Sequence, residues 1–394
     1  MLHRPLGRRD VVRLGAPLTA TVLALALAAP LTGADAATSP RQQAPAAARA
    51  SSGAPTLSWV VTSAGGLRLA AQPSVTFGKD KPGAAEQVAV DDSAVGQVVR
   101  GVGGSLTESS AHLLAQLPAT AREAALADLV SPTQGAGAAV LRQPLGASDF
   151  ALADRTYDDL GPGQTDPTLA SFSTAADRAE IIPLLVRAAQ LNPALAVVAS
   201  AWSPPAWMKT TGTTHGGQLD ETAEDVYAHY LTRAVADYRS AGVPVVALTP
   251  VNEPLNATAG YSSTWMGPDQ EARLVGEHLR PALDAAGLSD VGVLGYDHNW
   301  DDTAYPTSLV TGPYADAFAG TAFHCYAGDV SAQSQVLAAA PTKQIWTTEC
   351  SGGSWATDFG GNLGWGAKNM LVGAFRNGST ASVWWNLALD PSGG

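Results

Sequence analysis

The chain has 394 residues, 46% of them hydrophobic and 15% charged, with a formal net charge of −12. That supplies enough apolar material for a large core, and a barrel of about 250 residues fits with material to spare. With acidic residues in excess and no Lys/Arg block after the first residues, tight nucleic-acid binding through phosphate neutralisation is excluded.

The first segment reads as an export signal. Arg4, Arg8, Arg9 and Arg13 precede an uncharged stretch from Leu14 to Ala34, which closes in the small-x-small sequence Ala34-Asp35-Ala36. A charged n-region, an apolar h-region and a cleavage site of this kind predict a signal peptide over residues 1–36 and a secreted, extracellular product. Arg8-Arg9 resembles a twin-arginine signal, with a general secretory signal as the alternative. Pro17 and Pro30 argue against a membrane anchor, and no later stretch is long and apolar enough to cross a bilayer. Residues 37–55, rich in Ala, Pro, Gln and Ser, read as a disordered linker. In residues 56–96 the runs Leu57–Val61 and Leu67–Leu69, separated by Ala64-Gly65-Gly66, predict a hairpin.

From residue 97 onward, strand-length apolar segments recur. They cover Val98–Leu106, Ala138–Leu145, Ala194–Ala201, Val243–Val251, Val291–Tyr296, Thr321–Tyr326, Gln344–Thr348 and Ala381–Leu387. Helical stretches separate most of them. The clearest is Ala223–Arg239, with Val226, Tyr230, Ala234 and Tyr238 four apart and Gly242 just beyond its end. Ala175–Gln190 and Arg273–Ala286 are similar, with Pro183 and Pro281 each implying a kink or a restart.

Eight strands alternating with helices predict an α/β fold, a closed (β/α)8 TIM barrel over residues 97–394. An open doubly wound sheet would carry a glycine-rich phosphate turn after its first strand. Gly101-Val-Gly-Gly104 fails that pattern because Leu106 stands where its last glycine belongs. The sequence ends soon after the eighth strand, before an eighth helix, so a barrel truncated there and exposing apolar surface is expected. Cys325 and Cys350 each follow a polar residue at a strand end. A bridge follows if those two strands are neighbours, while two buried free thiols are the favoured reading.

In such barrels, polar residues at strand C-terminal ends point into the active-site mouth. Here those ends carry acids, amides and aromatics, which suit sugar hydroxyls and the apolar faces of sugar rings. Glu253 closes the fourth strand segment, in Thr249-Pro-Val-Asn-Glu253-Pro, and Glu349 closes the seventh, in Ile345-Trp-Thr-Thr-Glu349-Cys. Two carboxylates on separate strand ends are what glycoside hydrolysis requires, one as acid/base and one as nucleophile. No His-Glu-x-x-His occurs, and no metal or cofactor is expected. Gly-x-Ser-x-Gly is absent as well, which argues against a serine esterase.

Several stretches together resemble glycoside hydrolase family 30, which includes glucosylceramidases and β-1,6-glucanases. They are Gly101–Ala111, Leu141–Phe150, Ala201–Lys209, Val251-Asn-Glu-Pro254, Phe323-His-Cys-Tyr326, Thr348-Glu-Cys-Ser351 and Trp385–Asp390, in the family's order. The resemblance implies a retaining mechanism with Glu253 as acid/base, Glu349 as nucleophile and carboxyl groups about 5–5.5 Å apart. It also implies that Asn252 holds the sugar's 2-hydroxyl, and that Arg142 and Asp149 serve around the nucleophile and the terminal sugar. A structural ion pair is the competing reading for those two. Trp202 and Trp385 match aromatic positions lining the sugar subsite, with plain core packing as the alternative. His324 and Tyr326 match a pair beside the nucleophile, and Tyr261 a residue in the loop after the acid/base. Trp207, Asp297 and Glu108 are carried only as wall residues.

The family's β-sandwich side domain matches residues 56–96 for its N-terminal strands, with its C-terminal part missing from this sequence. The expected activity is hydrolysis of β-linked glucan or glucosides. His324-Cys-Tyr-Ala-Gly-Asp329 and Thr348-Glu-Cys-Ser-Gly352 favour β-1,6-glucan. A glucosylceramidase or β-glucosidase is the enzymatic alternative, and an idle carbohydrate-binding barrel or an inactive fragment is the alternative of another class.

Overall fold

The computed structural model describes residues 56–68, 70–78, 91 and 93–393. The expected signal peptide and linker lie outside the described residues. The chain divides near residue 90 into two units. In the first, β1 (Thr56–Leu57) pairs antiparallel with β4 (Val75–Thr76), and β2 (Val60–Val61) pairs antiparallel with β3 (Ala70–Ala71). The expected hairpin forms, but its second strand lies beyond Leu67-Arg68. Leu67 belongs to the turn, where its carbonyl accepts the Ser63 N–H at 3.0 Å.

In the second unit eight parallel strands close into a barrel. They are β5 (Gly101–Ser105), β6 (Val140–Leu145), β7 (Ala196–Ala201), β8 (Val245–Thr249), β9 (Gly292–Trp300), β10 (Gly320–Gly328), β11 (Gln344–Glu349) and β12 (Ser379–Trp384). Neighbours follow chain order all the way round, and β12 bonds back to β5. Each coincides with an expected strand. The fifth and sixth run longer than expected, the fifth through His298 to Trp300 and the sixth to Gly328. The Gly101–Gly104 run lies within β5, where a Cβ on Gly103 would come 1.6 Å from the Val140 carbonyl. Its glycines let two strands approach closely and form no phosphate turn.

Helices α1 (Glu108–Gln116) and α2 (Ala119–Val130) connect β5 to β6, α3 (Ile181–Leu191) connects β6 to β7, and α4 (Glu224–Ser240) connects β7 to β8. Then come α5 (Pro268–Arg273), a π-helical stretch over Leu274–Leu279, and α6 (Arg280–Ala285). After these follow α7 (Ala304–Thr311), α8 (Ala332–Ala339), α9 (Phe359–Gly366) and, through a second π stretch, α10 (Ala374–Arg376). Tyr227, Tyr230, Leu231, Ala234, Val235 and Tyr238 of α4 are all buried, as their spacing requires. The helix expected from Ala175 begins only at Ile181, so Pro183 sits in its first turn, where a missing N–H costs nothing. Pro281, which has no N–H to give, is the second residue of α6, two positions past the π stretch.

Two apolar layers hold the barrel. Inside lie Val140, Val198, Ala247, Leu294, Ala322, Trp346, Ala381 and Val383. Between strands and helices a larger cluster includes Leu185, Leu231, Leu248, Leu283 and Phe323. The free-thiol reading of the cysteines is corrected: Cys325 and Cys350 form a disulfide with Cα atoms 5.2 Å apart. The reason is register. β10 and β11 are adjacent, His324 pairs with Glu349, and the residue after each comes side by side.

Candidate active site

The C-terminal ends of the strands bring most of the expected residues into one buried cluster with Asp297 at its centre. Asp297 follows Tyr296 in β9, and both have left-handed backbones, with φ of 45° and 76°. Its Oδ2 accepts from Arg142 Nη2 at 2.7 Å and lies 2.9 and 2.7 Å from the hydroxyls of Ser200 and Thr249. Its Oδ1 accepts from Thr348 Oγ1 at 2.6 Å and faces His324 Nε2 at 3.0 Å. Burial alone would push this carboxyl up. The charges of Arg142 and His324 and these hydrogen bonds hold it well below the usual range.

Arg142, from β6, spreads its guanidinium between two carboxylates. One arm reaches Asp297 and Asn252 Oδ1, the latter at 2.6 Å, and the other donates to Glu349 Oε2. Its plane lies 4.7 Å from the Trp202 ring and 5.5 Å from the Trp385 ring, which stack on each other with centroids 5.2 Å apart. Trp202 is fully buried in this sandwich. The competing ion pair between Arg142 and Asp149 does not form, because Arg142 is committed to Asp297 and Glu349. Asp149 instead bonds the Trp385 side chain. Burial and the charge of Glu349 raise it to about 7.

The two glutamates face one another across His324. Its Nδ1 lies 2.9 Å from Glu253 Oε1 and 3.9 Å from Glu349 Oε1. Glu253 has a left-handed backbone, φ 46°, and its N–H donates to the Asp297 carbonyl at 3.0 Å. Its Oε2 accepts from Asn256 Nδ2 at 2.7 Å, and the same amide nitrogen lies 3.1 Å from the Tyr261 hydroxyl, so Tyr261 reaches the carboxylate through Asn256. Glu349 Oε1 accepts from the Tyr326 hydroxyl at 3.0 Å.

Burial raises Glu253, but the hydrogen bond and charge of His324, with Asn256 and His298, outweigh it and bring the carboxyl to about 2. His324 is correspondingly lifted to about 10. Burial opposes its charge, and the carboxylates of Glu349, Asp297 and Glu253 overcome that. Glu349 is raised, by burial first and then by the charges of Glu253 and Asp297, against the pull of His324 and Arg142. Both shifts favour the proton on His324, within hydrogen-bonding reach of Glu253.

Of the wall residues, Trp207 and Glu108 lie elsewhere. Trp207 donates to Asp158 at 3.0 Å, and Glu108 accepts from the Leu152 N–H and from Arg155, both at 3.1 Å. Asp297 is the opposite case, the hub rather than a wall. Sequence reading passed over Ser200, Thr249, Thr348 and Asn256, and gave His298 only as a polar residue at a strand end, with no role. Ser200 and the two threonines end apolar runs and read as ordinary strand residues. Asn256 stands three residues beyond Glu253 in a turn, and that is the one signal it gave. Glu253, His298 and His324 also bring three ligand-type atoms within 4.8 Å of one another, but Glu253 and His324 are already hydrogen-bonded to each other.

A sequence model described as the glycosyl hydrolase family 30 TIM-barrel domain matches residues 99–394. An endo-1,6-β-D-glucanase of Neurospora crassa is 31% identical over 344 residues, covering 84% of this chain and 69% of the relative. The lysosomal acid glucosylceramidase of Mus musculus is 26% identical, covering 76% of this chain and 60% of that protein. A solved endo-β1,6-glucanase structure superposes with a TM-score of 0.71 at 27% identity, covering 76% of this chain and 68% of the other.

Proposed function

The chain belongs to glycoside hydrolase family 30, a family of retaining glycosidases, and from that premise we propose that it is an exported enzyme hydrolysing β-1,6-linked glucan, with Glu253 as acid/base and Glu349 as nucleophile. The observation that carries the assignment is the setting of Glu349. Both its oxygens are engaged, by Arg142 and Tyr326, and it faces Glu253 across a single imidazole nitrogen. Donors of this kind favour the ionised carboxylate that must attack. One nitrogen within reach of both carboxylates supports a closely spaced pair, as retention needs.

In the first step a Glu349 oxygen attacks the anomeric carbon as the bond to the leaving sugar's oxygen breaks, and Glu253 protonates that oxygen. The proton is drawn from the His324–Glu253 hydrogen bond, which holds one proton between two bases 2.9 Å apart. The product is a glycosyl ester on Glu349, and its formation removes one negative charge. With its shared proton passed to the leaving sugar, Glu253 stands as a free carboxylate, so the same residue turns from acid to base. In the second step it takes a proton from water, whose oxygen attacks the anomeric carbon and releases Glu349. Asn252 and Asp149, flanking this point, take the sugar's hydroxyls, and Trp385 offers it an apolar face.

Export rests on the leader at residues 1–36. Among the described residues no helix is long and apolar enough to cross a membrane. The glucan preference rests on the names of the relatives and on the strand-six and strand-seven motifs.

The deciding experiment is mass mapping after exposure to 2-deoxy-2-fluoro-β-glucosyl fluoride, followed by digestion of a linear β-1,6-glucan. One sugar on the Glu349 peptide together with soluble gluco-oligosaccharides is the expected outcome. Labelling without glucan cleavage, but with release of glucose from glucosylceramide, would move the substrate to the lipid glucoside. Sugar binding with neither label nor turnover would make the chain a binding module.

A further inference from the structure

Glu271 is a further carboxyl group, one that the reaction does not touch, and it is wholly buried in α5. Its two oxygens lie 3.1 and 3.3 Å from the Tyr296 N–H. Tyr296 and Asp297 both occupy the left-handed region, which a tyrosine adopts only where its surroundings impose it. The next link is the Asp297 carbonyl, which accepts the N–H of Glu253, itself left-handed. Gly295 leaves room for the contact, since a Cβ there would come 3.2 Å from Glu271 Oε1 and 2.4 Å from Leu309.

Hydrogen-bond counting favours an uncharged Glu271. Tyr305, in α7, directs its single hydroxyl proton to the Met266 carbonyl at 3.0 Å and also hydrogen-bonds Glu271. A proton on Glu271 lets both bonds form at once, with Glu271 donating to the Tyr305 oxygen, whereas an ionised Glu271 would draw the Tyr305 proton away from the Met266 carbonyl and be lowered by it. The groups acting on Glu271 are Tyr305 from α7 and the Tyr296 N–H and Asp297 carboxylate from β9, with no cation among them. Burial raises it to about 8, against the hydrogen bonds of Tyr305 and the Tyr296 N–H, with the charge of Asp297 adding to the rise.

We propose that Glu271 is a positioning residue of this glycosidase that works as an uncharged carboxylic acid. One oxygen accepts the Tyr296 N–H and the other donates to Tyr305. The clamp holds the left-handed turn from which Asp297 orients Arg142, His324 and the backbone of Glu253. The inference rests on the acid/base and nucleophile roles given above, and it adds a residue that reaches the reaction only through Asp297.

Glu271→Gln and Glu271→Leu, compared with the wild type on an aryl β-glucoside across the pH range, test it. Glutamine reproduces the pattern, with its carbonyl for Tyr296 and its N–H for Tyr305. It is expected to keep kcat within about threefold and to hold activity above pH 8 where the wild type declines. Leucine is expected to lower kcat about 100-fold with KM little changed. A glutamine variant that melts like the wild type but is as slow as the leucine variant would overturn the proposal, and so would a leucine variant with wild-type kcat. If the leucine variant does not fold, the glutamine profile decides: an unchanged alkaline limb rejects the proposal. Failure of the wider reading is separate, since it would appear as a wild-type enzyme that neither takes the fluoroglucosyl label nor turns over.

Discussion

Tyr326 and Glu349 are tied to one another twice. The phenol donates to Glu349 Oε1 at 3.0 Å, and the adjoining residues Cys325 and Cys350 are joined by a disulfide. The first tie is electrostatic and the second geometric, so they can be cut separately.

Tyr326→Phe removes the proton donor and leaves Arg142 as the remaining direct donor to the carboxylate. A hydrogen bond to a charged group contributes about 1.5–3 kcal/mol, so kcat should fall about 10- to 100-fold. Losing a donor that favours the ionised form raises Glu349 further. The acidic limb of kcat/KM should therefore move to higher pH, which a pH–rate profile will register.

Cys325→Ala with Cys350→Ala cuts the second tie. The two cysteines are 25 residues apart, and closing a loop of that length is worth about 3 kcal/mol by loop entropy. The melting temperature should drop, and a reductant should lower that of the wild type while leaving the double variant unmoved. If the two proteins respond alike to reductant, the bridge contributes no stability.

The glutamate roles separate by leaving group. Glu253→Ala should spare dinitrophenyl glucosides, which need no proton, and cripple alkyl glucosides. Glu349→Ala should be nearly inert, and azide should restore turnover with a glycosyl azide of inverted configuration. Retained configuration in the rescued product would move the nucleophile to another residue.

Asp149 offers a stability test with a defined pH window. Burial and the charge of Glu349 raise it to about 7, against about 3.9 in an unfolded chain. Between those values the native state holds a proton that the unfolded state has released, so stability falls as pH rises through that window. An asparagine side chain does not titrate and lacks this dependence. Asp149→Asn should match the wild type near pH 4 and melt higher at pH 7, and parallel melting curves at both pH values would contradict the assigned shift.

Much of this site was legible in the sequence because barrel strands announce their ends. An apolar run that stops at a glutamate, a histidine or a tryptophan–asparagine pair fixes both a position and a direction, and Glu253, Glu349, His324 and Trp385 were readable on that basis. Asp297 was not, since nothing in one sequence distinguishes a carboxylate that lines a wall from one that five side chains converge upon. That convergence is made by residues from five strands, and only barrel closure brings them together. The disulfide was lost for the same reason: register between β10 and β11 decides it, and neither segment contains that register. Pro183 misled in the other direction, because a proline inside a helical pattern looks like a break until the helix is seen to start just before it.

The backbones of the two reacting residues differ in a way that matters to anyone wishing to re-purpose this catalyst. Glu349 sits at the end of an extended strand, whereas Glu253 occupies a left-handed conformation costing most side chains about 1 kcal/mol or more. A synthase made by shortening the nucleophile should accept alanine, serine or glycine with the scaffold undisturbed. A ligase made by replacing the acid/base will report backbone tolerance as well as lost chemistry, and glycine or asparagine is the substitution that keeps the two apart.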